Sequence, residues 1–106
     1  WALPYYAIRN ADAAALLDEL GTFQVIEGRI VDAADVKGTV YLNFGPDWRN
    51  DFTVSIERKY IKAFADTVPH PRDWGGKAIR VRGWLSKRNG PMIKATHPEQ
   101  IELLTR

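Results

Sequence analysis

The stretch GTVYLNFGPDWRNDFTVSI, residues 38–56, predicts two β-strands joined by one loop. In the first strand, Val, Leu and Phe alternate with Tyr41 and Asn43, and in the second, Phe, Val and Ile alternate with Thr53 and Ser55. A period of two places one set of side chains in the core and the other in water. We therefore expect Tyr41, Asn43 and Thr53 to lie on the solvent-facing side of a sheet.

The loop between these strands, residues 45–51, is rich in turn-forming residues but also contains Trp48 and Arg49. A turn requires neither of these side chains, whereas an exposed ring can stack on a base and an arginine can bind phosphate. This pattern favours a binding role. In the alternative, structural interpretation, Trp48 closes the end of a barrel and Arg49 is bonded to Asp47 or Asp51.

The segment before these strands, residues 22–36, predicts one long strand whose apolar alternation slips at Gly28. A glycine inside a strand often marks a bulge or a tight bend. We expect the bend at Gly28 to let this strand serve two sheets, as the closure of a small barrel requires.

A short helix is predicted upstream of the long strand, over residues 10–20. Asn10 is its expected N-cap, and Gly21 follows its end. Its expected apolar stripe consists of Leu16, Leu17 and Leu20.

Two parts of the chain can be distinguished. With 106 residues, the chain predicts one barrel domain, over residues 22–106. Residues 1–21 are expected to form an N-terminal arm and the short helix. The chain opens on Trp1 rather than Met, so we expect it to be a piece of a longer protein.

After the central strands, residues 57–66 predict a short amphipathic helix. Its basic side chains, Arg58, Lys59 and Lys62, lie elsewhere around the axis, and three such residues more often form a solvated face than a binding face. They are the alternative binding site if substitutions in the expected groove leave binding unchanged. The apolar side consists of Tyr60, Ile61 and Phe64. In the loop that follows, we expect Trp74 to close one end of the barrel.

Residues 77–86, KAIRVRGWLS, predict the clearest strand, with Arg80, Arg82 and Trp84 on one face. An Asn-Gly turn at residues 87–90 predicts a hairpin, because this pair is the strongest short hairpin signal. The returning strand and a short apolar segment end the chain.

The order of these elements is strand, strand, strand, helix, strand, strand, with a short N-terminal helix in front. This order predicts a mainly β protein with a five-stranded OB-fold-like Greek-key barrel and a helix between strands 3 and 4. An SH3-like barrel is the alternative, and it ranks second because it usually lacks a helix between strands 3 and 4.

The composition excludes several classes of function. The absence of cysteine excludes disulfides, thiolate catalysis and the common zinc sites. No apolar run reaches about 18 residues, so no membrane helix is predicted. His70 and His97 have no partnered Ser in the sequence, and no set of metal ligands can be assembled, so we expect neither catalysis nor a metal or cofactor. The net charge of +2 alone does not indicate nucleic acid.

A group of motifs in this chain resembles the domain that follows the nuclease domain in some bacterial thermonuclease-family (staphylococcal nuclease-like) proteins. The resemblance covers roughly residues 22–104 and is carried by the segments YLNFG at 41–45, DWR at 47–49, DFTV at 51–54, VRGWL at 81–85, RNGPMI at 88–93 and HPEQIE at 97–102.

This resemblance implies an OB-type barrel and an adjoining nuclease domain upstream of Trp1. The Asp-Gly-Asp-Thr calcium motif of that family is missing, so the resemblance implies a non-catalytic accessory domain. Proteins of the family are often exported, which favours a periplasmic or secreted location.

In an OB-fold the second and third strands and the hairpin loops form the ligand groove. We therefore predict single-stranded DNA or RNA as the partner and no membrane. The predicted contact residues are Tyr41, Asn43, Trp48, Arg49, Arg80, Arg82, Trp84 and Arg88.

The alternative function is a structural or protein-interaction domain that packs on the nuclease domain. In that case Arg80 and Arg82 pair with acidic residues on a neighbouring strand, and Trp84 packs under the N-terminal helix. Asp32 and Asp35, near the first hairpin loop, also count against a phosphate track.

Overall fold

The structure is a computed structural model that describes residues 7–67 and 69–104, and this part of the chain is mainly β, as predicted. It contains eight strands rather than five, one short α-helix and three 3-10 helices. The strands are β1 Ile8–Asn10, β2 Phe23–Arg29, β3 Asp32–Val36, β4 Thr39–Asn43, β5 Thr53–Ile56, β6 Ala78–Arg88, β7 Gly90–Lys94 and β8 Ile101–Leu103. The helices are α1 Ala13–Leu17 and the 3-10 helices Arg58–Phe64, Pro71–Asp73 and Pro98–Gln100.

The strands form one mixed sheet in the order β1-β2-β6-β7-β5-β4-β3, with β8 paired to β6. The pairs β1–β2 and β5–β7 are parallel and the others are antiparallel. Although β2 and β3 lie far apart in this order, only Ile30 and Val31 separate them along the chain. The sheet therefore has to curl back on itself. Its strand order is compatible with an OB-like barrel, and no ladder between described strands closes the ring.

The chain passes between the two ends of the sheet at Ile30 and Val31. The Ile30 amide donates to the Lys77 carbonyl at 2.8 Å, and the Val31 amide donates to the Asn43 carbonyl at 2.8 Å. Ile30 is fully buried, whereas Val31 is 56% exposed. These two residues are the turning point of the predicted long strand.

The expectation of a bulge or bend at Gly28 is therefore wrong. β2 pairs with β6 in uninterrupted register through Gly28, and the change of partner comes after Arg29. The glycine allows close packing instead. A Cβ added there would lie 3.1 Å from the Phe44 ring carbon Cδ2 and 3.3 Å from the Ala11 Cβ.

The hydrophobic core fills the inside of the curled sheet. Its largest buried side chains include Trp74, Phe52 and Phe64, each at most 1% exposed. The Trp74 indole N–H donates to the Pro69 carbonyl at 2.9 Å, so its one polar group is satisfied where the ring is buried. The burial of Trp74 agrees with the prediction.

The predicted amphipathic helix is present as the 3-10 helix Arg58–Phe64. The Tyr60 amide donates to the Glu57 carbonyl three residues earlier, at 2.8 Å. With three residues per turn, Ile61 and Phe64 fall on the same side and face the core. At seven residues this is the longest helix of the described ranges, and none there is long and apolar enough to cross a membrane.

The N-terminal helix differs from the prediction in both its ends. Its N-cap is Asp12, whose side chain makes no capping hydrogen bond, while Asn10 belongs to the short strand β1. Leu16 is fully buried, but Leu17 and Leu20 are 37% and 39% exposed, so the predicted apolar stripe holds only in part. Most of the predicted N-terminal arm, residues 1–6, lies outside the described residues.

We expect Gly28→Val to lower the free energy of unfolding by about 1–3 kcal/mol, because the new side chain presses on the Phe44 ring. Urea denaturation measures this change. Gly75→Val is the matched control, since a Cβ there meets no atom closer than the Ala33 amide nitrogen at 3.7 Å. Equal stability losses in both variants would contradict the packing role of Gly28.

Candidate binding groove

A groove of about 350 Å³ lies on the outer face of the curled sheet. From the strands, its lining includes Asp32 and Val36 of β3, Tyr41 and Asn43 of β4, and Thr53 of β5. The register explains this grouping, because Asn43 lies opposite both Asp32 and Thr53. Tyr41 and Asn43 are thus on the same accessible surface, as the strand alternation predicts.

A hydrogen bond orders the floor of the groove. The Thr53 hydroxyl donates to the Asn43 side-chain carbonyl at 3.2 Å. No hydrogen bond in residues 7–67 and 69–104 occupies the Asn43 side-chain NH2 group, which is therefore available to donate to a ligand.

The floor is more deeply recessed than the alternation of β5 predicts. Thr53 and Ser55 were expected on the wet side but are only 5% and 3% exposed. β5 lies between β4 and β7, and the Ser55 hydroxyl is 3.6 Å from the Met92 sulfur on β7. Larger neighbours such as Tyr41 and Met92 flank these small side chains. They shield Thr53 and Ser55 from solvent, although both lie on the face that was expected to be exposed.

One rim of the groove is the loop between β4 and β5. Trp48 is 50% exposed, so the interpretation that it closes the barrel end is wrong. The Arg49 guanidinium carbon lies 4.6 Å from the centre of the Trp48 ring, in cation–π geometry. The loop carboxylates bond mainly to the loop itself: Asp51 accepts from the Asp47 amide, and Asp47 accepts from the Asn50 side chain and the Arg49 amide.

The second rim is the hairpin between β6 and β7, which contributes Arg88 and Asn89. Asn89 has a φ of +65°, in the left-handed region, and is the single residue between Arg88 and Gly90, which pair with each other. The hairpin is where the Asn-Gly signal predicts it, but Gly90 belongs to β7 rather than to the turn. Gly90 packs directly under the first rim, because a Cβ there would lie 2.5 Å from the carbonyl oxygens of Asn50 and Asp51. The two rims are therefore in backbone contact.

Arg80 and Arg82 do not line the groove. They project from the first half of β6, which pairs with β2 and β8. Arg80 lies 3.2 Å from the Glu27 carboxylate, while Arg82 pairs with Glu102 and donates to the Glu99 carbonyl at 3.0 Å. The acidic partners on neighbouring strands agree with the structural interpretation of these two arginines.

Trp84 also lies outside the groove, opposite Phe23 in the β2–β6 ladder. It is 66% exposed, and its ring meets the Phe23 ring edge-on with 5.7 Å between centres. The idea that Trp84 packs under the N-terminal helix is therefore wrong. Of the eight predicted contact residues, the groove itself gathers Tyr41, Asn43, Trp48 and Arg88.

Several groove residues were missed as contacts. Asn89 and Met92 line the groove, whereas Lys94, which lies opposite Ser55, is not part of the lining. Counting outward from the Asn-Gly turn along β7 places Met92 and Lys94 on one face, so the sequence does hold this signal. The exposed carboxylate of Asp32 is also in the lining, which leaves the groove close to neutral.

A second, shallower depression of about 680 Å³ adjoins the start of β4. It is lined by Thr39, Glu57, Arg58, Lys59 and Lys62. In the described ranges no group of three or more His, Cys, Asp or Glu residues is placed to hold a metal ion.

The solved structures that are similar to this one in fold include three of low sequence identity. They are a putative aspartyl-tRNA synthetase from Leishmania major Friedlin (TM-score 0.60, 8% identity), an aspartyl-tRNA synthetase from Entamoeba histolytica (0.64, 11%), and an OBody bound to hen egg-white lysozyme (0.59, 17%). These similarities cover 99%, 95% and 100% of this chain, respectively. At such identities they show the fold alone.

The chain covers 22% and 21% of the two synthetases and 100% of the OBody. No protein-family model and no curated protein sequence matches it. None of the three similar structures is a thermonuclease, and the resemblance to that family remains a prediction.

We expect Gly90→Ala to displace the β4–β5 loop, because the new methyl group would meet two backbone carbonyls that have no freedom to rotate away. The stability loss should be about 1–3 kcal/mol, as for other overpacked sites. The indole resonance of Trp48 should shift in the NMR spectrum, while Gly75→Ala leaves it in place. An unchanged Trp48 resonance together with unchanged stability would show that the two rims are not in contact.

Proposed function

We propose that this groove binds single-stranded nucleic acid without cleaving it. One observation carries the proposal: the Tyr41 ring, the exposed Trp48 with Arg49 over its face, and Arg88 surround a single groove. Single strands bind where flat rings stack on bases and cations contact the backbone. Both kinds of group are within reach of one ligand here.

The arrangement of charge suggests how the strand lies. Asp32 and the polar pair Asn43 and Thr53 occupy the floor, where base edges can form hydrogen bonds but a phosphate is repelled. The cations Arg49 and Arg88 belong to the rims. The bases therefore face the floor and the phosphates face the rims.

The fold of the similar structures supports this ligand class. Two of them are enzymes named for tRNA. OB-folds bind oligonucleotides on the surface of their second and third strands and the adjoining loops. In this chain β4 and β5 occupy that place, and the groove lies across them.

Protein binding is the second candidate, and one observation favours it. The OBody of this fold is bound to lysozyme, a folded protein. The groove here also has an apolar wall of Ala34, Val36 and Met92, which a protein side chain can fill. A structural or protein-interaction domain would bind with little dependence on salt, whereas a phosphate contact weakens as salt rises.

The accessory role beside a nuclease rests on the sequence resemblance. A weak groove linked to a nuclease domain would still hold substrate at a high effective concentration. Because the Asp-Gly-Asp-Thr motif is missing, the purified domain should not cleave DNA or RNA with or without calcium. Gel assays of a labelled strand measure this. Calcium-dependent cleavage that co-purifies with the domain and is lost in an Asp47→Asn variant would contradict it.

The binding prediction concerns Tyr41 and Arg88. Tyr41→Ala should weaken binding of a labelled oligothymidylate by about 1–3 kcal/mol, because a stacking ring is lost. Arg88→Ala should lower the slope of log affinity against log salt by about 0.7, the value for one phosphate contact on a single strand. Fluorescence titrations at several salt concentrations measure both effects.

Arg82→Ala is the matched control, since it removes one cation from the opposite part of the sheet. It should leave affinity and salt slope unchanged. A folded domain that binds no oligonucleotide at low salt would exclude the proposed function and favour protein binding.

A further inference from the structure

The second depression extends the groove, and we propose that it binds the phosphate backbone of the same strand after that strand leaves the groove. We call Arg58, Lys59 and Lys62 the basic surface. This inference rests on the proposed function and adds a second contact site to it. The ligand class is a single-stranded nucleic acid long enough to span both sites.

The two sites are continuous along one strand. Thr39, Tyr41 and Asn43 alternate on the same face of β4. Tyr41 and Asn43 line the groove, and Thr39 lines the depression beside the basic surface. At the usual rise of a strand, Thr39 and Tyr41 are about 6.6 Å apart. A ligand that follows β4 passes directly from one site to the other.

The basic surface is fixed to the end of β4. The Arg58 amide donates to the Thr39 hydroxyl at 3.3 Å, which holds the first turn of the 3-10 helix against the strand. The stem of Arg58 also lies over Gly38 in the β3–β4 turn, where an added Cβ would be 2.9 Å from Cγ. Because Ile61 and Phe64 pack on the core, the basic side chains are kept on the outside.

The charges of the basic surface are not neutralised. Arg58, Lys59 and Lys62 are exposed, and none forms an ion pair with another described residue. By contrast, Arg80 and Arg82 pair with carboxylates. The one acidic residue lining the depression is Glu57. A cluster of unpaired cations is the footprint of a phosphate track.

The two sites also differ in the part of a nucleotide that they suit. The groove offers rings and hydrogen-bonding groups but is close to neutral. The basic surface offers cations, and its one ring is the half-buried Tyr60, 5.2 Å from the Lys59 ammonium group. The two sites therefore have different roles: the groove binds the bases, and the basic surface binds the phosphate backbone.

Ligand length separates the two contributions. We compare oligothymidylates of about 4 and about 12 nucleotides, which bracket the usual site size of an OB-fold. The test variant combines Lys59→Ala with Lys62→Ala. The short strand should bind the variant as it binds the native domain. The long strand should lose on the order of tenfold in affinity at 0.1 M salt, with a salt slope lower by about 1.4 for two phosphate contacts.

The matched control combines Arg9→Ala with Arg82→Ala. It removes the same charge, but from residues of β1 and β6 that are ion-paired to Glu19 and Glu102. Circular dichroism confirms that each variant is folded. The control should bind both strands like the native domain. Equal weakening in the control would assign the loss to net charge and overturn the proposal.

Three other outcomes would overturn the proposal that the basic surface binds the same strand. Equal loss for the short and long strands would place the lysines against the nucleotides already in the groove and overturn the extension. Native-like binding of the long strand by the variant would do the same, while leaving the groove function intact. If the folded native domain bound neither strand, the proposed function would fail first, and the extension with it.

Discussion

Two adjacent backbone amides determine the shape of this protein. Ile30 bonds to the Lys77 carbonyl just before β6, Val31 bonds to the Asn43 carbonyl at the end of β4, and the Ile30 side chain is fully buried. An unpaired amide at the buried Ile30 would cost free energy, and both bonds form only when the sheet curls so that β6 and β4 approach the same short segment. The groove, its two rims and the enclosed core all follow from that curvature.

The same curvature gives the long strand β6 two different environments. Its first half pairs with β2 and β8, where Arg80 and Arg82 find carboxylates. Its second half pairs with β7 and ends in the hairpin that carries Arg88. One continuous strand therefore places cations both beside β2 and β8 and at the groove. The acidic residues of the neighbouring strands determine which of these cations are ion-paired.

Much of the fold and part of the site could be predicted from the sequence. Alternation located β4 to β7, and the Asn-Gly pair located the hairpin, because both signals are local. The depth of Thr53 was not predictable from β5 itself, since it depends on larger side chains of β4 and β7. The Arg82–Glu102 pair joins residues twenty positions apart through β8, whose three residues are too few to show a period. The sequence predicts a bend at Gly28 because glycine is a local signal of backbone flexibility. The change of pairing partner comes instead at Ile30, a buried residue whose role depends on contacts with distant strands.

The unbroken register of β6 has a consequence for how this chain can change over evolution. Its eleven residues pair successively with β2 and β7, and Ile79, Val81, Gly83 and Leu85 all point inward. A single residue inserted before Trp84 would turn Leu85 toward solvent and Trp84 toward the core at the same time. Insertions and deletions in β6 should therefore be eliminated by selection, even where they do not change the residues of the groove or the ion pairs of Arg80 and Arg82. A substitution of one outward residue, by contrast, changes the surface at that position alone and leaves the register of the strand intact.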